Sequence, residues 1–363
     1  MITNGMRKFI VWVLASSFFC VAGEPFSIAV IPDSQNYVNY VTNRDSAPSY
    51  PVNQAEYFYR QMQYIAGNAM QNGGDIAFAV HVGDLVSHWG RHLDEWERAE
   101  KGIRILDGAL PFIAVPGNHD YDRAYSADGG TDNRIDGNSF FTKYFGSESV
   151  HFKGKGWYGG SFNGGMDSYC TLRIDGRDFL FLGLELEPSD EVLTWAQSVL
   201  DSHKKYATVL VTHEYLAIWD EADNPGRAAL LNHSYRKGFN RNTPIQLWEK
   251  LISKNRQIFL VLCGHHFRGD EGENARTDTN DAGYKVYTLL QNYQGRKSLL
   301  DERGIKGKRL NCGDGWLRLL RFDLTKMQVH VQTYSTELKL YEKDANSDFV
   351  IQFDWDWEER FGN

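Results

Sequence analysis

Nowhere in this chain do the roughly 20 consecutive apolar residues of a membrane-spanning helix occur. The longest such run, FIVWVLASSFFCVA at 9–22, falls short. Basic residues form no stripe or block, and a formal net charge of -8 excludes a non-specific electrostatic grip on nucleic acid. Cysteine is scarce, with 4 in 363 residues, so a disulfide framework is excluded as the source of stability. No repeat, low-complexity tract or Pro/Gly/Ser linker divides residues 24–335, which argues for one domain and against a solenoid or propeller. What the chain has in quantity is apolar surface to bury: 42% of its residues are hydrophobic and 14% aromatic, ample for a large core.

The short apolar run has a reading of its own. MITNGMRK sets Arg7 and Lys8 ahead of it, and small residues, Ala22 and Gly23, close it, the succession of a cleaved secretory signal. A membrane anchor is the competing reading, and the length of the run speaks against it. Cys20 follows Phe18 and Phe19 where a lipoprotein signal carries small residues. Residues 1–22 are therefore expected to be a signal peptide, with the mature protein secreted or periplasmic and not stably inserted in a membrane. Their removal takes away Arg7 and Lys8 and no acid, moving the net charge from -8 to -10. Three cysteines then remain, Cys170, Cys263 and Cys312. Cys263 ends an apolar strand pattern and reads as a small buried hydrophobe, while a Cys170–Cys312 disulfide stays open.

FSIAVI (26–31), DIAFAVHV (75–82), FIAV (112–115), TVLV (208–211) and QIFLVL (257–262) read as buried strands, and YCTLRID with FLFLGLEL as a pair around Gly176. Phe58, Met62, Ile65, Ala66 and Ala69 recur with helical spacing. Helices also fit WERAEKGIRIL, EVLTWAQSVLDSHKK and TPIQLWEKLISKN, and the chain ends in closely spaced strands, KVYTLLQ, WLRLLRF and MQVHVQTYS. This order predicts an α/β sandwich of mixed sheets with helices outside, over residues 24–335, and leaves 336–363 as a C-terminal extension. Residues 121–165 and 215–245 read as long polar connections of the kind that form lids or binding loops. DGGTDNRIDGN (128–138) lacks the acidic spacing and closing Glu of a calcium loop.

Chemistry concentrates where those strands end. PDSQ (32–35), GDLV (83–86), GNHD (117–120), THE (212–214) and CGHH (263–266) each follow an apolar run, so their side chains converge on one sheet edge. Asp84 can bridge two cations through its two oxygens, and Gly83 keeps the strand exit free of bulk. Asp33 and the Gln35 amide oxygen face one cation; Asn118, His213 and His265 offer one oxygen and two nitrogens to the other, a mixture that suits Mn, Fe or Zn better than calcium. Such a pair of ions polarises a phosphoryl group and activates a water. His119 is then placed as proton donor or phosphoryl contact, and Asp120 is expected to hold its tautomer. Singly, a Gly-Asp after a strand is usually a turn, and His81, His88 and His92 read as structural or surface residues. The joint order of the five motifs is what carries the signal.

In that order the sequence resembles the calcineurin-like metallophosphoesterases, whose pattern runs Asp-x-His, Gly-Asp, Gly-Asn-His-Asp/Glu, His, Gly-His-x-His. The resemblance spans about Ile28 to Tyr334 and extends to a secreted branch with Asp-x-Gln first and NYQ (292–294) and GWLRLL (315–320) later. It implies a four-layer sandwich of two mixed β-sheets flanked by helices. It also implies two divalent metal ions (Mn, Fe, Zn or Mg), the first on Asp33, Gln35 and Asp84 and the second on Asp84, Asn118, His213 and His265, with His119 catalytic. The implied activity is hydrolysis of a small-molecule phosphoester, monoester or diester, by a metal-activated water attacking phosphorus in line.

Two positions depart from the pattern. Gln35 and Phe267 stand where imidazoles are expected, both on the first metal, which predicts a weak, oxygen-rich first site. His266 is adjacent, yet strand alternation points it away from the position of Phe267. That loss also supports a rival reading, a non-catalytic metal- or ligand-binding protein on the same fold. Arg123, Arg227, Arg236 and Arg241, if gathered at the mouth, would favour a second charged group on the substrate. The expected N-terminus of the exported protein is Gly23 or Glu24; mass spectrometry showing intact Met1 on correctly exported protein overturns the leader assignment.

Overall fold

The computed structural model describes residues 23–39, 54–124, 135–232, 240–297 and 313–362. The leader, Arg236, Cys312 and most of 128–138 lie outside the described residues.

Two seven-stranded sheets form the body. In the first, the spatial order is Leu340–Tyr341, Gln328–Ser335, Trp316–Asp323, Phe26–Ile31, Ile76–His81 and Phe112–Ala114, with Asp348–Gln352 also paired on Gln328–Ser335. The second runs Glu273–Thr279, Lys285–Gln291, Ile258–Cys263, Ala207–Val211, Arg177–Gly183, Asp167–Ile174 and Tyr158–Phe162. Both are mixed. Phe26–Ile31, Ile76–His81 and Phe112–Ala114 are parallel in one, as are Arg177–Gly183, Ala207–Val211, Ile258–Cys263 and Lys285–Gln291 in the other.

Strand alternation sorts the apolar residues into layers. Ile28 and Val30 enter the core between the sheets with Phe179, Phe181, Val209 and Leu262. Ala29 and Ile31 face outward onto Phe58, Met62 and Ile65 of the helix Ala55–Gly67 and Trp96 of Leu93–Ile103. On the far side Leu180, Leu182 and Leu210 meet Val192 and Ala196 of Asp190–Ser202 and Leu247 and Leu251 of the Pro244–Ile252 segment. Three apolar clusters thus separate four layers, the fold expected. Among the described residues no helix is long and apolar enough to cross a membrane.

Two expectations need correction. Residues 336–362 are part of the sandwich: Asp348–Gln352 extends the first sheet, and Phe353, Trp355, Trp357 and Phe361 fill the core between the sheets. Arg360 is tied down there by the carbonyls of Arg256, Lys285 and Ile258 at 2.8–2.9 Å. The stretch 215–245 is in part a hairpin, Leu216–Glu221 with Asn224–Leu230, and 121–165 contains the helix Ser139–Phe145. The hairpin's second strand, NPGRAAL, has no apolar run and opens on three exposed residues, and the seven-residue helix is too short for a helical period to stand out. Cys170 is a free thiol buried between the sheets.

Truncating the aromatic anchor tests the role of the last segment. Phe361→Ala and Trp355→Ala are each expected to cost about 3–5 kcal/mol, the range for emptying a packed aromatic site. Equilibrium denaturation giving wild-type stability for both refutes it.

Candidate metal centre

All the parallel strands deliver their C-terminal ends to one edge, and the loops that leave them carry the five motifs. Asp33 follows Phe26–Ile31, Asp84 follows Ile76–His81 and Asn118 follows Phe112–Ala114, all from the first sheet. His213 and His265 follow Ala207–Val211 and Ile258–Cys263 of the second.

One half of the centre is close-knit. Ligand-type atoms of Asp84, His213 and His265 lie within 4.8 Å of one another. His213 Nε2 is 3.3 Å from Asp84 Oδ1 and 3.1 Å from Asn118 Oδ1. Atoms held about 2.1 Å from a common ion stand roughly 3–4 Å apart, so the two His213 distances suit one cation. The Val82 carbonyl, 2.8 Å away, accepts the proton of His213 Nδ1 and thereby turns Nε2 to the cluster. Asp84 and His265 both adopt left-handed backbone, φ 55 and φ 67, conformations an L-residue keeps only when its surroundings hold it.

The carboxylates are buried, Asp33 and Asp84 each about 1% exposed, and they call for positive charge. Burial pushes Asp33 well above the carboxylate range; His213 opposes this and the Asp84 charge adds to it. Burial acts the same way on Asp84, but the imidazoles of His213, His119 and His265 outweigh it and hold its carboxyl below the ordinary value. His213 in turn, which burial alone would lower, is raised to about 10 by Asp84 and Asp33. A divalent cation with neutral imidazoles meets the same demand. Space is reserved for the carboxylates too: a Cβ on Gly117 would stand 2.2 Å from Asp84 Oδ1, and one on Gly264 2.3 Å from Asp33 Oδ1.

The other half is built differently. Asp33 Oδ2 accepts from Asn292 Nδ2 at 2.8 Å and Gln294 Nε2 at 3.1 Å, and the His265 N–H reaches both Asp33 oxygens at 3.2 Å. Gln35 Oε1 is buried with no hydrogen-bond partner, an oxygen that a cation would satisfy. Phe267 is 39% exposed and lies over Gly295. His266 turns the other way: its Nδ1 accepts from Ile218 N–H at 3.0 Å and its ring meets Trp219 edge-on at 4.3 Å. Asn292 and Gln294 are the residues that motif reading missed in function; NYQ was visible, but not that its two amides grip the first carboxylate.

His119 stands beside Asp84, its backbone N–H donating to Oδ1 at 2.9 Å. Asp120 does not hold its ring. The Ser87 carbonyl does, accepting from Nδ1 at 2.6 Å and leaving Nε2 turned away, while Trp89 stacks on the imidazole at 5.6 Å. Asp120 accepts instead from the N–H groups of Leu85, Val86 and Gly117 at 2.8–3.1 Å, locking two ligand loops together. Adjacency in sequence had suggested the imidazole, but the buried N–H groups of the facing loop are the nearer demand. Burial first, and the Asp84 charge second, raise Asp120 to about 7 against those donors. Glu95 continues the clamp by accepting from Ser87 and His88 N–H.

His81 is structural, as expected. Gly83 N–H donates to its Nδ1, so Nε2 donates to Ser34 Oγ at 3.0 Å, and burial lowers it to about 3, which keeps it neutral. Of the arginines considered for the mouth, Arg227 pairs with Glu221 and Asp278 and Arg241 with Glu185. A second acidic group, Glu273, Glu342 and Asp344, makes no case for a cation, since Arg296 and Arg318 neutralise it; despite burial these hold Glu273 down to about 2.

Restoring the nitrogens tests the asymmetry of the centre. Phe267→His, and further Phe267→His with Gln35→His, are expected to bind a second equivalent of Mn or Zn at lower free concentration than wild type. Two tight equivalents in wild type, unchanged in the double variant, refute a weak first half.

Comparison with known proteins agrees with this arrangement. The chain is 28% identical over 325 residues to the uncharacterized protein YvnB of Bacillus subtilis (strain 168). That match covers 87% of this chain and 21% of the relative, so the chain spans about a fifth of that protein's length. A profile of the calcineurin-like phosphoesterases matches residues 26–268, from the strand before Asp33 to just beyond His265. The profile covers well over half of the chain and takes in the whole run of converging motifs, and the protein is therefore a member of the calcineurin-like phosphoesterase family.

Proposed function

We propose that this protein hydrolyses small-molecule phosphoesters with divalent cations held by Asp84, Asn118, His213 and His265 and, more loosely, by Asp33 and Gln35. The observation that carries the reading is the convergence of Asp84, His213 and His265 ligand atoms within 4.8 Å, beside an imidazole whose orientation is fixed from behind. Cations bound there supply Lewis acidity toward a phosphoryl oxygen and lower the pKa of water. The chain's own residues do the rest. His119, with Nδ1–H committed to the Ser87 carbonyl, presents Nε2, which in the imidazolium form can give its proton to the departing alkoxide or donate to a phosphoryl oxygen. Asp120 and Glu95 keep the 83–88 loop in place without touching the reacting atoms. Both monoesters and diesters fall within this reading, and the Arg7–Lys8, apolar and small-residue succession supports action outside the cytoplasm.

His119→Ala is expected to lower turnover about 100-fold or more, as loss of a general acid does, while metal content stays near wild type. Asp84→Asn is expected to deplete metal and activity together. Metal analysis beside a phosphoester panel decides: equal metal loss in both variants makes His119 a ligand, and a metal-replete wild type that turns over no phosphoester favours the binding-protein reading.

A further inference from the structure

Beside the centre lies a polar pocket of about 340 Å³ lined by Tyr121, Asn138, Asn163, Met166, Glu185 and Arg241. Its place follows from register. Gly183 pairs with Val211 in a parallel ladder and Leu184 N–H donates to the Val211 carbonyl, so Glu185 comes level with Thr212 and His213 one strand away, about 4.8 Å. Tyr121 follows Asp120 directly on the loop that carries Asn118 and His119. The pocket therefore adjoins the half of the centre formed by Asn118 and His213.

Asn138 and Asn163 form its exposed rim, and its buried floor is polar. Glu185, 2% exposed, pairs through Oε1 with Arg241 and accepts the Tyr121 hydroxyl on Oε2 at 3.0 Å. Behind it Asp167, fully buried, accepts Glu185 N–H on Oδ1 at 2.8 Å, while its Oδ2 has no hydrogen-bond partner. Asp167 also senses Glu185 and Arg241 electrostatically and lies within reach of Asn163, three residues of the pocket wall. A buried ion pair of this kind contributes little net stability compared with apolar packing, so packing alone does not explain the cluster.

We propose that this pocket is a subsite for a hydroxyl-rich group, a sugar or polyol, carried by the phosphoester substrate. The inference rests on the phosphoesterase reading above. Hydroxyls both donate and accept, which matches carboxylate and amide oxygens interleaved with guanidinium, amide and phenol donors. A second anionic group would face two carboxylates against one guanidinium. An ammonium would face Arg241, and an apolar group would strand every polar atom of the wall.

Calorimetry on manganese-loaded His119→Ala protein, in which hydrolysis of the ester is slowed about 100-fold or more, compares glucose 6-phosphate with inorganic phosphate. The sugar phosphate is expected to bind about tenfold more tightly, and Arg241→Gln or Glu185→Gln, made in that background, to remove the difference while phosphate affinity holds. Tyr121→Phe, which deletes one hydroxyl and keeps the ring packed, is expected to lose part of the advantage, about three- to fivefold, even if the charge variants fail to fold. Equal affinity for the two probes, or an advantage that survives Tyr121→Phe and both charge variants intact, overturns the subsite and leaves the phosphoesterase reading standing. Binding of neither probe to metal-loaded protein overturns both.

Discussion

Two carboxylates buried where the sheets end set the terms for everything around them. Asp33 and Asp84 sit in nearly complete isolation from water, where unpaired negative charge is costly. Each is answered in a different way. Asp84 is met by three imidazoles and a backbone N–H, Asp33 by two amide side chains and the His265 N–H. The first arrangement invites a cation with nitrogen ligands; the second spends most of the carboxylate's accepting capacity within the protein. Replacement of imidazole by Gln35 and Phe267 is consistent with that division.

The large features were legible because each leaves a mark that depends only on local sequence. Buried parallel strands are continuous apolar runs, and the ends of those runs fall at Asp33, Asp84, Asn118, His213 and His265. What escaped depends on partners far away in sequence. Nothing in Asn292 or Gln294 announces Asp33, some 260 positions earlier, as their acceptor. Glu185 and Asp167 lie on unremarkable strand ends and acquire meaning only through Arg241 and Tyr121. Asp120 illustrates the opposite error, in which sequence adjacency to His119 suggested a contact that the facing loop claims instead.

The last thirty or so residues show how amphipathic segments mislead. DFVIQ is a short apolar run between polar ends, and FDWDWEERF interleaves aromatics with acids, so the segment reads as a C-terminal extension. Their rings are nevertheless inside, with Trp355 and Trp357 closing the core around Phe259 and Phe179. Alternation at period two is itself the signature of a half-buried extended chain.

The centre draws its residues evenly from the two sheets. Asp33, Asp84 and Asn118 belong to one, His213, His265 and Asn292 to the other, and the bond from His213 to the Val82 carbonyl crosses between them. A cation gripped by Asp84 and His213 would consequently act as a rivet through the sandwich. A bound cation would then add its binding free energy to the stability of the folded sandwich, so the protein's resistance to unfolding would rise with free metal concentration.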